Sequence, residues 1–129
     1  QASTWLSPTS LVTAGERHLK FWDISSMRDH QRNVGSPPLR LTGTPATILA
    51  AHQDCTFVDV VCWPKSEATN NDNAVARVFC LTGSGVLCVF SAEGVVERWV
   101  SLEAQGAFAL DTIDDVLIVG CTDGVIRIF

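Results

Sequence analysis

Gly15-Glu16-Arg17-His18-Leu19-Lys20-Phe21-Trp22 decides the fold. The same arrangement returns as Gly83-Ser84-Gly85-Val86-Leu87-Cys88-Val89-Phe90 and again as Thr122-Asp123-Gly124-Val125-Ile126-Arg127-Ile128-Phe129. Aligned without gaps, each is a short turn followed by a strand that ends on a large aromatic. Gly and Asp-Gly supply turn residues that tolerate positive φ. An apolar strand precedes each turn: Leu11-Val12-Thr13-Ala14, Val78-Phe79-Cys80-Leu81-Thr82 and Val116-Leu117-Ile118-Val119-Gly120-Cys121. The repeated unit is therefore a β-hairpin.

Working outward, each hairpin has a further strand before it. Trp5-Leu6-Ser7-Pro8 and Val60-Val61-Cys62-Trp63-Pro64 read as strands stopped by proline, which cannot donate to a ladder. Ala107-Phe108-Ala109-Leu110-Asp111 plays that part in the third unit and turns at Asp114-Asp115. Gly94 opens a fourth strand, Val95 to Val100, whose alternation predicts Val96 and Arg98 on one face and Val95, Glu97 and Trp99 on the other. Phe90 and Phe129 lie 39 positions apart, close to the roughly 40 to 45 residues of a four-stranded propeller blade. Trp22 and Phe90 lie 68 apart, and two polar stretches, Ser25–Pro38 and Lys65–Asn73, account for the surplus as surface excursions. No helix is predicted. The reading is an all-β, incomplete and open β-propeller over 1–129, about three four-stranded antiparallel blades, with hairpins at about 11–24, 76–91 and 116–129 and inserts at about 25–38 and 65–74.

With 47% hydrophobic and 18% charged residues, the 129-residue chain has the composition of a globular unit with a core. A net charge of −5, with nine basic residues scattered among fourteen acids, argues against nucleic acid as a partner. No apolar run approaches the roughly 18 to 20 residues that cross a bilayer, so no membrane partner is expected. The chain starts at Gln1 without an initiator Met or a signal pattern, as a cut inside a longer protein would. Cys55, Cys62, Cys80, Cys88 and Cys121 are odd in number and contain no C-x-x-C, which reads as buried reduced thiols in an intracellular compartment.

At these residues the chain resembles the WD-repeat family. Leu19-Lys20-Phe21-Trp22-Asp23 is similar to the Trp-Asp signature that closes a blade's third strand, and Gly120-Cys121-Thr122-Asp123-Gly124-Val125-Ile126-Arg127-Ile128-Phe129 to the same element with Phe for Trp. Trp22, Asp23, Trp63, Phe90, Asp123 and Phe129 are the blade-signature positions. The sequence departs from the family in having one Trp-Asp, no Gly-His, and Asp in one of three hairpin turns. The family's Asp–His–Ser/Thr–Trp hydrogen-bond network is accordingly not expected in complete form. A closer resemblance, carried by the strand from Gly15 to Trp22, the hairpin from Thr82 to Cys88 and the outer strand ending at Trp99-Val100, is to the mitogen-activated-protein-kinase-binding type of WD-repeat scaffold. That resemblance implies a large cytoplasmic or centrosomal scaffold tied to kinase signalling and spindle poles.

The candidate sites are sparse. His18, His30 and His52 share no metal-ligand spacing and read as local hydrogen-bond partners; no metal, cofactor or catalytic residue is expected. Gly83-Ser84-Gly85 lacks the surroundings of a phosphate loop or nucleophile elbow and reads as a hairpin turn. Asp111, Asp114 and Asp115 lack the ligand number of a calcium loop. Trp99 on an outer strand, with Arg28 and Arg32 in the first insert, are the candidate partner contacts, and Ser36-Pro37 is a candidate proline-directed phosphorylation site. Three blades cannot close a ring. Each missing blade interface would expose several hundred Å² of apolar surface, or roughly 10 kcal/mol at 25 cal/mol per Å². The remaining blades are therefore expected as partners, from the parent chain or another. The expected function is a non-catalytic protein–protein interaction scaffold; a cytoskeletal or ciliary component and a propeller enzyme with its site elsewhere are the alternatives.

Overall fold

The structure, a computed structural model, describes residues 1–30, 35, 41–48, 53–63 and 76–129. Three antiparallel sheets follow one another along the chain. The first runs β1 (Ala2–Ser7), β2 (Ser10–Gly15), β3 (His18–Asp23) and, after the short helix α1 (Ser25–His30), a two-residue β4 (Thr44–Pro45). The second runs β5 (Phe57–Trp63), β6 (Arg77–Thr82), β7 (Val86–Ser91) and β8 (Val96–Ser101), and the third β9 (Ala107–Ile113), β10 (Val116–Cys121) and β11 (Ile126–Ile128). Strands neighbour each other in chain order, and no sheet closes into a barrel. This is the open, partial β-propeller read from the sequence.

The stacking follows from burial. Between the first and second sheets, Val12, Ala14 and Leu19 pack against Phe57, Val60, Val78, Cys80, Cys88 and Phe90. Between the second and third, Leu81, Leu87 and Leu102 meet Ala107, Leu110, Leu117, Val119 and Cys121. The second sheet is covered on both faces, which is why β6 and β7 are near-continuous apolar runs rather than alternating ones. The innermost strands also touch: Asp59 of β5 accepts the Val60 N–H at 2.9 Å with one oxygen and the Leu110 N–H of β9 at 2.8 Å with the other. At the far end of β5, the Trp63 indole N–H donates to the Asp114 carbonyl at 2.8 Å.

The three closing aromatics hold equivalent places. Trp22 pairs with Leu11, Phe90 with Val78, and Phe129 exchanges both main-chain bonds with Leu117 at 2.9 and 3.0 Å. Alternation and packing turn Phe90 toward the first sheet, Phe129 toward the second, and Trp22 to the face of the first sheet away from the second. The gapless alignment is off by one residue, however. Gly15 pairs directly with His18 across a two-residue turn, with Arg17 at φ 49°, whereas the second and third hairpins use three-residue turns with Gly85 at φ 81° and Gly124 at φ 79°. The first turn is shorter and is held from outside, since the Arg17 N–H donates to the Cys55 carbonyl at 3.2 Å.

Two further expectations are corrected. A helix exists: Ser25–His30 forms one short helix in the insert read as irregular. The Asp23 carboxylate accepts the Ser25 N–H at 2.8 Å, satisfying a donor at the helix start, and this bond holds its pKa below the usual carboxylate range. The outer strand β8 does not alternate simply either. A bulge lets Val96 pair with Phe90 while Arg98 pairs with Val89, so Val96 and Arg98 lie on opposite faces. Val96 joins the core against the first sheet, and Glu97 turns to an ion pair with Arg77 at 2.9 Å.

Candidate functional site

Trp22 is part of a hydrogen-bonded chain. Its indole N–H donates to the Thr13 hydroxyl oxygen at 2.9 Å, and that oxygen lies 2.7 Å from His18 Nε2. Lys20 Nζ sits 5.8 Å from the centre of the Trp22 ring. Gly43 lies so close under that ring that a Cβ there would come within 2.8 Å of it. The incomplete family network thus takes the form of a Trp–Thr–His chain whose histidine comes from the third strand itself. In the second sheet the places of Thr13 and Trp22 are taken by Cys80 and Phe90, and in the third by Val119 and Phe129. Neither Phe carries a donor, so those sheets pack apolar atoms where the first has hydrogen bonds.

The other sequence candidates scatter. Trp63 bridges the second sheet to the third, and Asp123 pairs with Arg127 at 3.1 Å beside the third turn, a bond that keeps its carboxyl below the usual range. Trp99 is 50% exposed on β8, opposite Cys88 and so on the side of the first sheet. Arg28 lies in α1, far along the chain from Trp99; Arg32, Ser36 and His52 lie outside the described residues. In the Gly83-Ser84-Gly85 turn the hydroxyls are used internally: Thr82 Oγ1 accepts the Val86 N–H at 2.9 Å and lies 3.0 Å from Ser84 Oγ. The Asp111 carboxylate accepts the Thr112 N–H at 2.8 Å, and Asp114, at φ 50°, shapes the β9–β10 turn. Among the described residues no group of three His, Cys, Asp or Glu could hold a metal ion.

No disulfide joins any of the five cysteines, and four of them are buried. Burial pushes the Cys62 and Cys80 thiols up and raises Cys88 to about 11, which makes them poor nucleophiles. What the molecule does present is apolar surface. The forward face of the third sheet carries Phe108, Ile113, Ile126 and Ile128, each 60% exposed or more. Between the second and third sheets an apolar cleft of about 250 Å³ opens among Phe79, Leu87, Val89, Val100, Leu117 and Phe129. Sequence reasoning missed this cleft, because it depends on how the second and third sheets pack rather than on any motif.

A stack of short antiparallel sheets, with aromatics at equivalent ends of their third strands and one Trp-Asp pair, defines a WD-repeat propeller segment. The chain belongs to the WD-repeat family. It is 32% identical over 118 residues to mitogen-activated protein kinase-binding protein 1 of the mouse, and 32% identical over 124 residues to the human protein of the same name. It is also 30% identical over 118 residues to mouse WD repeat-containing protein 62. Each similarity covers 92% of this chain but only 7 to 8% of the relative. No protein-family model matches the chain.

Proposed function

We propose that this chain is a non-catalytic protein-binding segment of a WD-repeat scaffold, acting in the cytoplasm in association with kinase signalling. The observation that carries the reading is the similarity, over nearly the whole chain, to two WD-repeat proteins, one of them named for binding a mitogen-activated protein kinase. The surface supports it. Its distinctive features are exposed apolar faces and a cleft lined mainly by aliphatic and aromatic side chains, with Arg98, Thr112 and Asp115 among them, which suit recognition of a polypeptide. Five cysteines with no disulfide among them fit a reducing compartment.

The test is direct. The purified chain is immobilised and exposed to purified mitogen-activated protein kinases, and in parallel to cell extract with quantitative mass spectrometry. Saturable kinase binding supports the whole reading. Reproducible protein partners without a kinase would keep the scaffold and remove the kinase link. A chain that retains no protein above a scrambled-sequence control refutes it.

A further inference from the structure

We propose that Thr44 is the acceptor for a proline-directed protein kinase, and that phosphate there loosens a strap joining the first two sheets. Phosphate acceptance does not depend on the scaffold reading, since a chain that retains no protein partner can still be modified.

The strap is residues 44–48. Its two-residue strand β4 pairs with β3, and the Ala46 N–H donates to the Leu19 carbonyl at 3.0 Å. One residue on, it changes sheets: the Thr47 N–H donates to the Gly94 carbonyl at 2.8 Å, and Thr47 bridges to Val95. Ala46 and Ile48 pack against the core between the two sheets. By alternation Thr44 lies on the same side of the strap, opposite Phe21, which in turn lies against Gly94. Ala46 and Ile48 are half-buried there, whereas Thr44 and Pro45 are exposed.

Three hydroxyl residues of the chain precede a proline: Ser7, Ser36 and Thr44. Ser36 lies outside the described residues. Ser7 opens the tight β1–β2 turn, where its hydroxyl oxygen accepts the Thr9 N–H at 3.2 Å. Thr44 differs on both counts. Its hydroxyl has no hydrogen-bond partner among the described residues, and its backbone is extended, the form that a following proline favours. A kinase cleft takes up its substrate as an extended segment, and a following proline, which lacks an N–H, is what a proline-directed enzyme selects. Pairing over only two residues lets the segment lift from β3 into such a cleft at small cost.

In the reaction Thr44 Oγ1 bonds to the γ-phosphorus of ATP, the bond from that phosphorus to the β–γ bridging oxygen breaks, and ADP leaves. The hydroxyl proton passes to the base of the kinase. A charge of about −1.5 to −2 then stands where a neutral hydroxyl stood. The seam offers it no counter-charge among the residues named above. Phe21, Ala46 and Ile48 are apolar, and Glu93, next to Gly94, carries the same sign. Lys20 stands opposite Pro45, on the other face of the sheet. The phosphate is better solvated with the strap lifted, so modification shifts the balance toward an open seam.

The intact protein is incubated with ATP and a purified proline-directed kinase, and the modified residues are located by mass spectrometry. Phosphate at Thr44 is expected, with or without phosphate elsewhere, and Pro45→Ala is expected to cut it by about tenfold or more. Circular dichroism checks that the variant remains folded. Phosphate on Ser7 or Ser36 with Thr44 unmodified, or no phosphate at all, overturns the acceptor. So does incorporation at Thr44 that Pro45→Ala leaves unchanged. Hydrogen exchange then reads the strap. The Ala46 and Thr47 amides should exchange about tenfold faster in the phosphorylated protein, while those of β10 keep their protection. Equal exchange in both forms, or the same acceleration in β10, overturns release of the strap.

Discussion

Phe90→Ala and Phe129→Ala make the same chemical change at equivalent places, yet they should differ severalfold in cost. Phe90 is fully buried between Val12, Val78, Cys88 and its other neighbours in the first core, so truncation removes the transfer energy of the ring and leaves a cavity. Such losses run at about 3 to 5 kcal/mol. Phe129 keeps 54% of its surface exposed and borders an open cleft. Truncation there forfeits less than half of a full burial and creates no closed void, or about 1 kcal/mol. In urea, with an m-value of about 1.5 kcal/mol/M, the midpoint should drop by about 2 to 3 M for Phe90→Ala and by less than about 1 M for Phe129→Ala. The assay is equilibrium denaturation followed by far-ultraviolet circular dichroism, with m checked for constancy. Equal midpoint shifts would refute the claim that one ring is enclosed by a complete blade and the other lies beside an open edge.

Thr13→Val keeps the shape of the side chain but strands the Trp22 indole N–H and the His18 ring nitrogen; a loss of about 1 to 2 kcal/mol in thermal or urea unfolding is expected, while Cys80→Val at the equivalent place should cost less than half as much. Gly85→Ala combines a φ of 81° with a Cβ only 2.9 Å from the Ala104 carbonyl oxygen, so it should destabilise by about 2 kcal/mol or more, whereas Gly124→Ala, at φ 79° in open space, should cost about 1 kcal/mol. A buried thiol whose pKa lies above its ordinary value stays protonated where the unfolded chain's thiols ionise, so the stability it contributes is complete below that value and drains away above it. For Cys88 the window is pH 9 to about 11, with Cys80 moving in the same direction, and the urea midpoint should fall across that range and recover when both are replaced by Val.

Much of the architecture was legible in the sequence because a blade is a local object. Each hairpin's strands are adjacent in the chain, and their apolar residues must face a neighbouring sheet whatever that sheet is. Trp22, Phe90 and Phe129 could therefore be matched by the local turn-and-strand pattern, even though inserts stretch the first interval to 68 positions. The register of the first turn could not: a two-residue and a three-residue turn both accept Gly15-Glu16-Arg17, and the choice depends on the Cys55 carbonyl, 38 positions away. The bulge in β8 was hidden for a similar reason, since Glu97 leaves simple alternation to reach Arg77 on another strand. The helix at Ser25 was missed because six polar-rich residues carry no periodicity; the Asp23 carboxylate was its signal. For the candidate contacts, sequence offered exposure and charge but no geometry. Trp99 can be placed on a strand, while Arg32 and Ser36 lie outside the described residues.

The unlike chemistry of the two outermost sheets bears on how the molecule behaves at high concentration. Thr13, His18 and Lys20 make the outward face of the first sheet partly hydrophilic, whereas Ile113, Ile126 and Ile128, with Asp111 among them, make that of the third largely apolar. Pressing the first of these faces against the isoleucines of the second would take water from the Lys20 ammonium and from a Trp–Thr–His chain whose hydrogen bonds are already made, with only the Asp111 carboxylate to replace it. The polar chain in the first sheet therefore loses more on dry contact with an apolar surface than an all-aliphatic face would.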